Sequence, residues 1–172
     1  MAAKKKGTSG KKLKPVAKRN AAAKTPAGRR VVVRGSAIHG KGVFATVAIP
    51  KGARIIEYKG MLIPEAEADD LYGDDESPHT FLYLLDNGLV IDAYRKGNSA
   101  RWINHSCDPN CEPEEEGNRM FVTAIRNIKA GEELSYEYNL VIEDRYTPAI
   151  KKLYACRCGS KKCHGTFLAR RR

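Results

Sequence analysis

Between Arg101 and Cys111 the chain reads Arg-Trp-Ile-Asn-His-Ser-Cys-Asp-Pro-Asn-Cys, and from Glu132 to Tyr138 it reads Glu-Glu-Leu-Ser-Tyr-Glu-Tyr. Asn, His, Cys and Tyr packed this densely beside apolar residues are costly to bury unless they find partners. Asn104 offers a donor and an acceptor, and His105 adds a ring donor. Near the C-terminus a third string, Cys156-Arg157-Cys158-Gly159-Ser160-Lys161-Lys162-Cys163, brings three thiols together. A closed zinc site takes four ligands in a tetrahedron, often all thiolate, so a fourth must come from elsewhere in the chain. Disulfides are rare in reducing compartments, and the N-terminus has lysines but no apolar h-region of a secretory signal, so metal or structural thiols are expected.

A fourth string, Ser36-Ala37-Ile38-His39-Gly40-Lys41-Gly42-Val43-Phe44, sets two glycines around Lys41. Glycines there let backbone approach a ligand closely. The full dinucleotide fingerprint and its strand–helix setting are missing. His39 and His79 carry no signal beyond that of ordinary surface histidines.

In this order, the strings resemble the SET-domain protein lysine methyltransferases with a post-SET zinc segment, over roughly residues 31–168. The resemblance implies an S-adenosylmethionine site lined by Lys41, Gly42, Phe44, Arg101, Asn104, His105, Tyr138 and Phe167, with the Phe167-Leu168 pair over the adenine edge. It implies that Tyr138, the last Tyr of Glu-Leu-x-Tyr-x-Tyr, is catalytic, at the junction of lysine channel and methyl donor. It implies that Tyr136 influences how many methyl groups are added, with Tyr there favouring mono- or dimethylation. Cys107 becomes the fourth zinc ligand beside Cys156, Cys158 and Cys163, and Cys111 is left as a free thiol. Trp102 stands where the family usually has Phe, and Arg34 stands near a place often held by Tyr. Tyr58 is either a channel wall or an ordinary half-buried strand tyrosine.

The chemistry such a site must perform is physically clear. A lysine attacks a sulfonium methyl only when neutral, and its unperturbed pKa is about 10.4. An apolar channel and an adjacent positive sulfur both favour the neutral amine. Alignment of the two reactants can then supply much of the acceleration. No His–Asp dyad stands out as a base, so solvent takes the proton.

Charge placement bears on the substrate. The net charge of +11 is set by the ends. Residues 1–30 hold eight Lys, three Arg and no acid, residues 31–150 hold 12 basic and 20 acidic groups, and residues 151–172 hold eight basic groups and no acid. Glu65, Glu67, Asp69, Asp70, Asp74, Asp75 and Glu76 form one acidic cluster, and Glu112, Glu114, Glu115 and Glu116 another. Either is a solvated face or, if it borders the channel, an attractor for Lys/Arg-rich tails of histone or nucleoid type. The chain's own tail is a further candidate substrate. Residues 1–30 lack large apolar side chains and read as a disordered basic arm suited to nucleic acid or to simple solubility.

The elements that must position these groups read as short strands with Gly/Pro punctuation, beginning at Val31. Asp86-Asn87-Gly88 is a hairpin turn signal, Pro64 to Tyr72 the best helix candidate, and Asn98 to Ile103 a shorter helical turn. Ile49-Pro50-Lys51-Gly52 and Ile128-Lys129-Ala130-Gly131 echo one another as turns that launch strands. The fold expected is mostly β. The resemblance implies several small sheets around a threaded pseudoknot, few short helices and a C-terminal zinc-binding post-SET segment. The divisions are 1–30 (tail), 31–146 (catalytic domain) and 147–172 (zinc segment and basic end). No apolar run of about 18 residues suggests a membrane span. The compartment expected is cytoplasm, near the nucleoid, or nucleus, according to host, and the oligomeric state is left open. A non-catalytic chromatin adaptor is the alternative function, and a zinc-ribbon DNA module is weaker because the spacing is Cys-x-Cys.

Overall fold

The computed structural model describes residues 4–6, 30–73, 80–142 and 145–170. The remainder of the basic arm, Asp74 to His79, Glu143 and Asp144, and the last two residues lie outside these. The strands are β1 (Lys4–Lys6), β2 (Val31–Gly35), β3 (Lys41–Ala45), β4 (Arg54–Tyr58), β5 (Met61–Pro64), β6 (Leu82–Leu84), β7 (Leu89–Asp92), β8 (Asn104–His105), β9 (Cys111–Glu116), β10 (Arg119–Ala124), β11 (Ser135–Tyr136) and β12 (Leu140–Val141). Two helices, α1 (Glu65–Tyr72) and α2 (Pro148–Leu153), and a 3-10 turn at Ser99–Trp102 complete the described elements. Among the described residues the secondary structure is mostly strand, in four small sheets with few helices, as the sequence suggests.

The largest sheet runs β12-β1-β6-β7-β5, a second runs β4-β10-β9, and β2-β3 and β8-β11 form two pairs. Local chemistry accounts for several elements. The β6–β7 hairpin turns at Asp86-Asn87-Gly88, where Gly88 takes φ 81°, a conformation glycine adopts without a Cβ penalty. Pro64 ends β5 and caps α1, whose first turn carries Glu65 and Glu67 toward the positive helix end. The helical turn expected near Asn98 forms because the Asn98 side chain accepts the Ala100 N–H. α2 was not anticipated, although Thr147 caps it and Pro148 opens it.

The echoed turns pair with each other. Ile49 and Ile128 exchange backbone hydrogen bonds of 2.9 and 2.8 Å. Both isoleucines are buried, so the sequence echo marks two strand-launching corners clamped face to face. One core dominates, built on Val43, Tyr58, Tyr83, Ile103, Met120, Leu134, Tyr136 and Leu140, with a smaller cluster around Ile63 and Leu82 beneath α1.

One element runs against the sequence reading. Lys4–Lys6, in the arm read as disordered, form a strand between β6 and β12. Three consecutive lysines carry no apolar periodicity, so no local pattern predicts the pairing.

Candidate active site

The first two strings of the sequence lie side by side. β8 and β11 pair in parallel, with Ser135 opposite Asn104 and Tyr136 opposite His105. A parallel pair needs a long crossover, and here the β9–β10 hairpin is part of it. Asn110 fastens the crossing. Its amide donates to the Glu133 carbonyl at 2.8 Å and to Glu132 at 3.0 Å, and its oxygen accepts the Ser135 N–H at 2.9 Å.

Tyr138 follows directly. Asn139 then takes a left-handed conformation at φ 49°, one that Asn tolerates better than most residues, and the chain turns into β12. The Tyr138 hydroxyl donates to the Ile103 carbonyl at 2.8 Å. Burial holds its pKa well above the ordinary tyrosine value, so it is a neutral phenol near pH 7. The Tyr136 ring lies 5.2 Å from that of Tyr138, and Tyr58 packs 6.2 Å from Tyr83. Burial raises the pKa of Tyr58, Tyr83 and Tyr136 too. The result is an uncharged, aromatic interior in which each hydroxyl can donate but not act as a phenolate base.

His105 connects this interior to the cysteines. Its Nδ1 accepts the Tyr138 backbone N–H at 3.1 Å, so Nε2 carries the proton and faces Cys107 Sγ at 3.3 Å. The sulfurs of Cys107, Cys156, Cys158 and Cys163 all lie within 4.8 Å of one another. Cys107 Sγ is 3.7 Å from Cys156 Sγ and 4.0 Å from Cys163 Sγ. Zinc–sulfur bonds of about 2.3 Å in a tetrahedron place sulfurs about 3.8 Å apart. The four thiols therefore fit a tetrahedral thiolate-preferring ion. Cys111 is apart from them, buried, with its thiol on the Asn110 oxygen; burial pushes its pKa up to about 12.

A cavity of about 440 Å³ opens between the two regions, within the range of small-molecule sites. Asn104, His105, Tyr138 and Phe167 line it, together with Ile38, His39, Phe81, Tyr94, Cys156 and Arg157 among others. Phe167 packs edge-on against Tyr138 and at a tilt on His105, each at 5.9 Å between ring centres.

Four expected cofactor residues are not among those lining this cavity. The Lys41 carbonyl accepts the Asn104 amide at 2.9 Å, and its ammonium lies 4.8 Å from the Trp102 ring. Arg101 donates to the Ala93 carbonyl at 3.0 Å and stacks on the same ring. Phe44 bridges Glu133 and lies under Arg34. Gly42 is small because Glu133 occupies the space a Cβ would need.

Sequence reasoning gave Glu133, Ser36 and His39 no role. The Glu133 carboxylate accepts from the Ser36 hydroxyl at 2.8 Å and from the Asn104 amide at 2.8 Å, which ties the glycine segment to β8. The Asn104 amide nitrogen thus holds the loop, while the residue also lines the cavity. The available signal was Ser36 two residues before the Ile38 N–H it accepts. His39 lines the cavity, and His79 lies outside the described residues.

The acidic clusters are partly compensated internally. Arg54 pairs with Glu114 and Glu116, and Arg95 with Glu67. Asp74, Asp75 and Glu76 lie outside the described residues. No helix among the described residues is long and apolar enough to cross a membrane.

Comparison with known proteins joins these features. Residues 40–139 match the SET domain family. The chain is 39% identical over 134 residues, 74% of its length, to the histone-lysine N-methyltransferase trithorax of Drosophila virilis. It is 38% identical over 155 residues, 87% of its length, to histone-lysine N-methyltransferase 2B of Homo sapiens. To histone-lysine N-methyltransferase ash1 of Drosophila melanogaster it is 38% identical over 136 residues, or 74% of its length. The matched regions span only 3%, 6% and 6% of those proteins. With more than half its length matched and the two strings paired at its centre, the chain belongs to the SET domain family.

Proposed function

We propose that this protein methylates lysine side chains in basic proteins, using S-adenosylmethionine. The observation that carries the reading is the parallel pairing of Asn104–His105 with Ser135–Tyr136, which sets Tyr138 at the wall of the cavity. The names of the relatives, all histone-lysine N-methyltransferases, agree with it. The donor supplies an electrophilic methyl group, and the chain's residues do the rest. Asn104, His105 and Phe167 form the cavity that would receive it. Tyr58, Tyr83 and Tyr136 provide a buried neutral surface, which disfavours an ammonium and favours the free amine. The proton goes to water, since Tyr138 stays a phenol. Tyr136 limits the product to mono- and dimethyl-lysine.

We assign the four-thiol site to zinc, held by Cys107, Cys156, Cys158 and Cys163. Its role is to fasten the C-terminal segment, and Phe167 with it, over the cavity. The substrate class is a Lys/Arg-rich tail of histone type, which would place the protein at chromatin or a comparable nucleic-acid assembly, with basic residues of the arm as the nucleic-acid contact. The test is methylation of a panel of basic proteins with peptide mapping of the modified residues. Donor binding without transfer to any lysine-rich protein would reject the enzyme reading in favour of an adaptor.

A further inference from the structure

The strand β1 has the wrong composition for its place. It is the second strand of a five-stranded sheet, yet it is Lys-Lys-Lys, whereas its neighbour β6 is Leu-Tyr-Leu and wholly buried. Lysine is disfavoured in such positions, and β1 brings no apolar side chain. What holds it is main-chain pairing on both sides, parallel to β6 and antiparallel to β12. That is how an extended peptide adds to sheet edges. Strands lie about 4.8 Å apart, so β6 and β12 leave a slot one strand wide.

Register places this slot at the aromatic interior. Lys5 stands opposite Tyr83 on β6 and opposite Leu140 on β12. The two residues opposite Lys5, Tyr83 and Leu140, are both buried, and Tyr83 packs on Tyr58 in the core that also holds Tyr136 and Tyr138. Lys4 and Lys6 stand opposite Val141 and Leu84 instead. Residues 7–29 connect β1 to Arg30. At about 3.3–3.6 Å per residue this length is ample for occupation in cis.

We propose that the Lys4–Lys6 segment is a resident occupant of the slot between β6 and β12, competing with lysine-rich peptides in trans and itself accepting a methyl group at Lys5. The modification rests on the methyltransferase reading above; the occupation does not. In the transfer, the neutral Lys5 amine forms the new N–C bond, the S–C bond of the sulfonium donor breaks to leave a thioether, and one proton leaves the nitrogen for water.

The full chain with labelled methyl donor should become modified at Lys5, above Lys4 and Lys6, at a rate per molecule unchanged by tenfold dilution. Lys5→Arg should remove that label. Lys5→Pro, which lacks the N–H for pairing, should lower KM for an added lysine-rich peptide several-fold. It should also raise amide exchange in Leu82–Leu84 and Leu140–Val141 without any donor present. Methylation of the added peptide with no label on residues 4–6 would overturn the self-modification. Unchanged KM and unchanged amide protection in Lys5→Pro would overturn the occupation. Failure to methylate any added peptide, with amide protection still lost in Lys5→Pro, would reject the enzyme reading and leave the occupation standing.

Discussion

The two walls of the cavity are built in opposite ways. The inner wall, Asn104 to Asn110 with Ser135 to Tyr138, is held by strand pairing and buried hydrogen bonds; Asn110 is 2% exposed and His105 5%. The outer wall, residues 145–170, has little core of its own. α2 buries none of its residues, and only Tyr154 and Leu168 are buried in that stretch. Its ties to the body include the four thiols, the Leu140–Leu168 bridge, the Phe167 ring, and surface pairs of Lys162 with Asp108 and His164 with Glu137. The inner wall's geometry is therefore intrinsic to the fold, while the outer wall's would depend on the zinc proposed for the thiol site. His105 is the joint, bonded to Tyr138 on one side and facing Cys107 on the other.

Breaking the outer wall alone should have the largest effect. Chelation, or Cys156→Ser, should abolish donor binding and lower turnover by roughly 100-fold or more, the scale of a misplaced reacting group. The body should keep its cooperative melt, because its core is independent of the thiols. Elemental analysis should give one zinc per chain. Full turnover with no metal present would merge the two walls into one and sink the assignment.

Alkaline pH should strike the inner wall instead. Tyr58, Tyr83, Tyr136 and Tyr138 have pKa values raised mainly by burial. An unfolded tyrosine ionises near about 10. Below that pH both states keep their protons and the four add no pH dependence. Above it the unfolded chain releases protons that the folded chain retains, so stability falls as pH rises. With all four engaged the slope is at most about 5 kcal/mol per pH unit. Denaturant midpoints measured from pH 8 to 11 should be flat and then drop steeply, and a flat profile to pH 11 would mean the aromatic interior is wet.

The same contrast explains what was legible beforehand. Contiguous chemistry was readable: Asn104-His105, the Tyr138 string and the Cys156–Cys163 spacing are local, and turn residues such as Asp86-Asn87-Gly88 and Pro64 act within a few positions. Pairing between distant two-residue strands was not, because β8 and β11 are too short to carry a period. Glu133 escaped for the same reason, since its partners Ser36 and Asn104 are 97 and 29 residues away. β1 escaped because main-chain pairing leaves no mark on side-chain pattern. Lys41, Arg101, Gly42 and Phe44 are a different case: a motif drew attention to them, and their contacts are with Asn104, Trp102, Ala93 and Glu133 rather than with the cavity.

Within the inner wall, Tyr138→Phe should lower kcat by roughly 100-fold through lost alignment. It should cost only about 1 kcal/mol of stability, the net worth of one hydrogen bond, here to the Ile103 carbonyl. A loss of several kcal/mol would recast Tyr138 as chiefly structural.

Tyr136→Phe is the gentlest probe. It removes one oxygen from a fully buried ring and should shift stability by no more than about 1 kcal/mol. Its expected effect is on product distribution. A hydroxyl beside the Tyr138 ring occupies volume and offers a donor where a methylated amine must rotate before the next transfer. Without it, the rotation is less hindered, and mass spectra of a substrate peptide should move from mono- and dimethyl toward trimethyl-lysine at similar first-transfer rate. Processive trimethylation by the unsubstituted protein would mean that Tyr136 sets no limit. The inner wall would then determine whether transfer occurs, and the count would be fixed elsewhere.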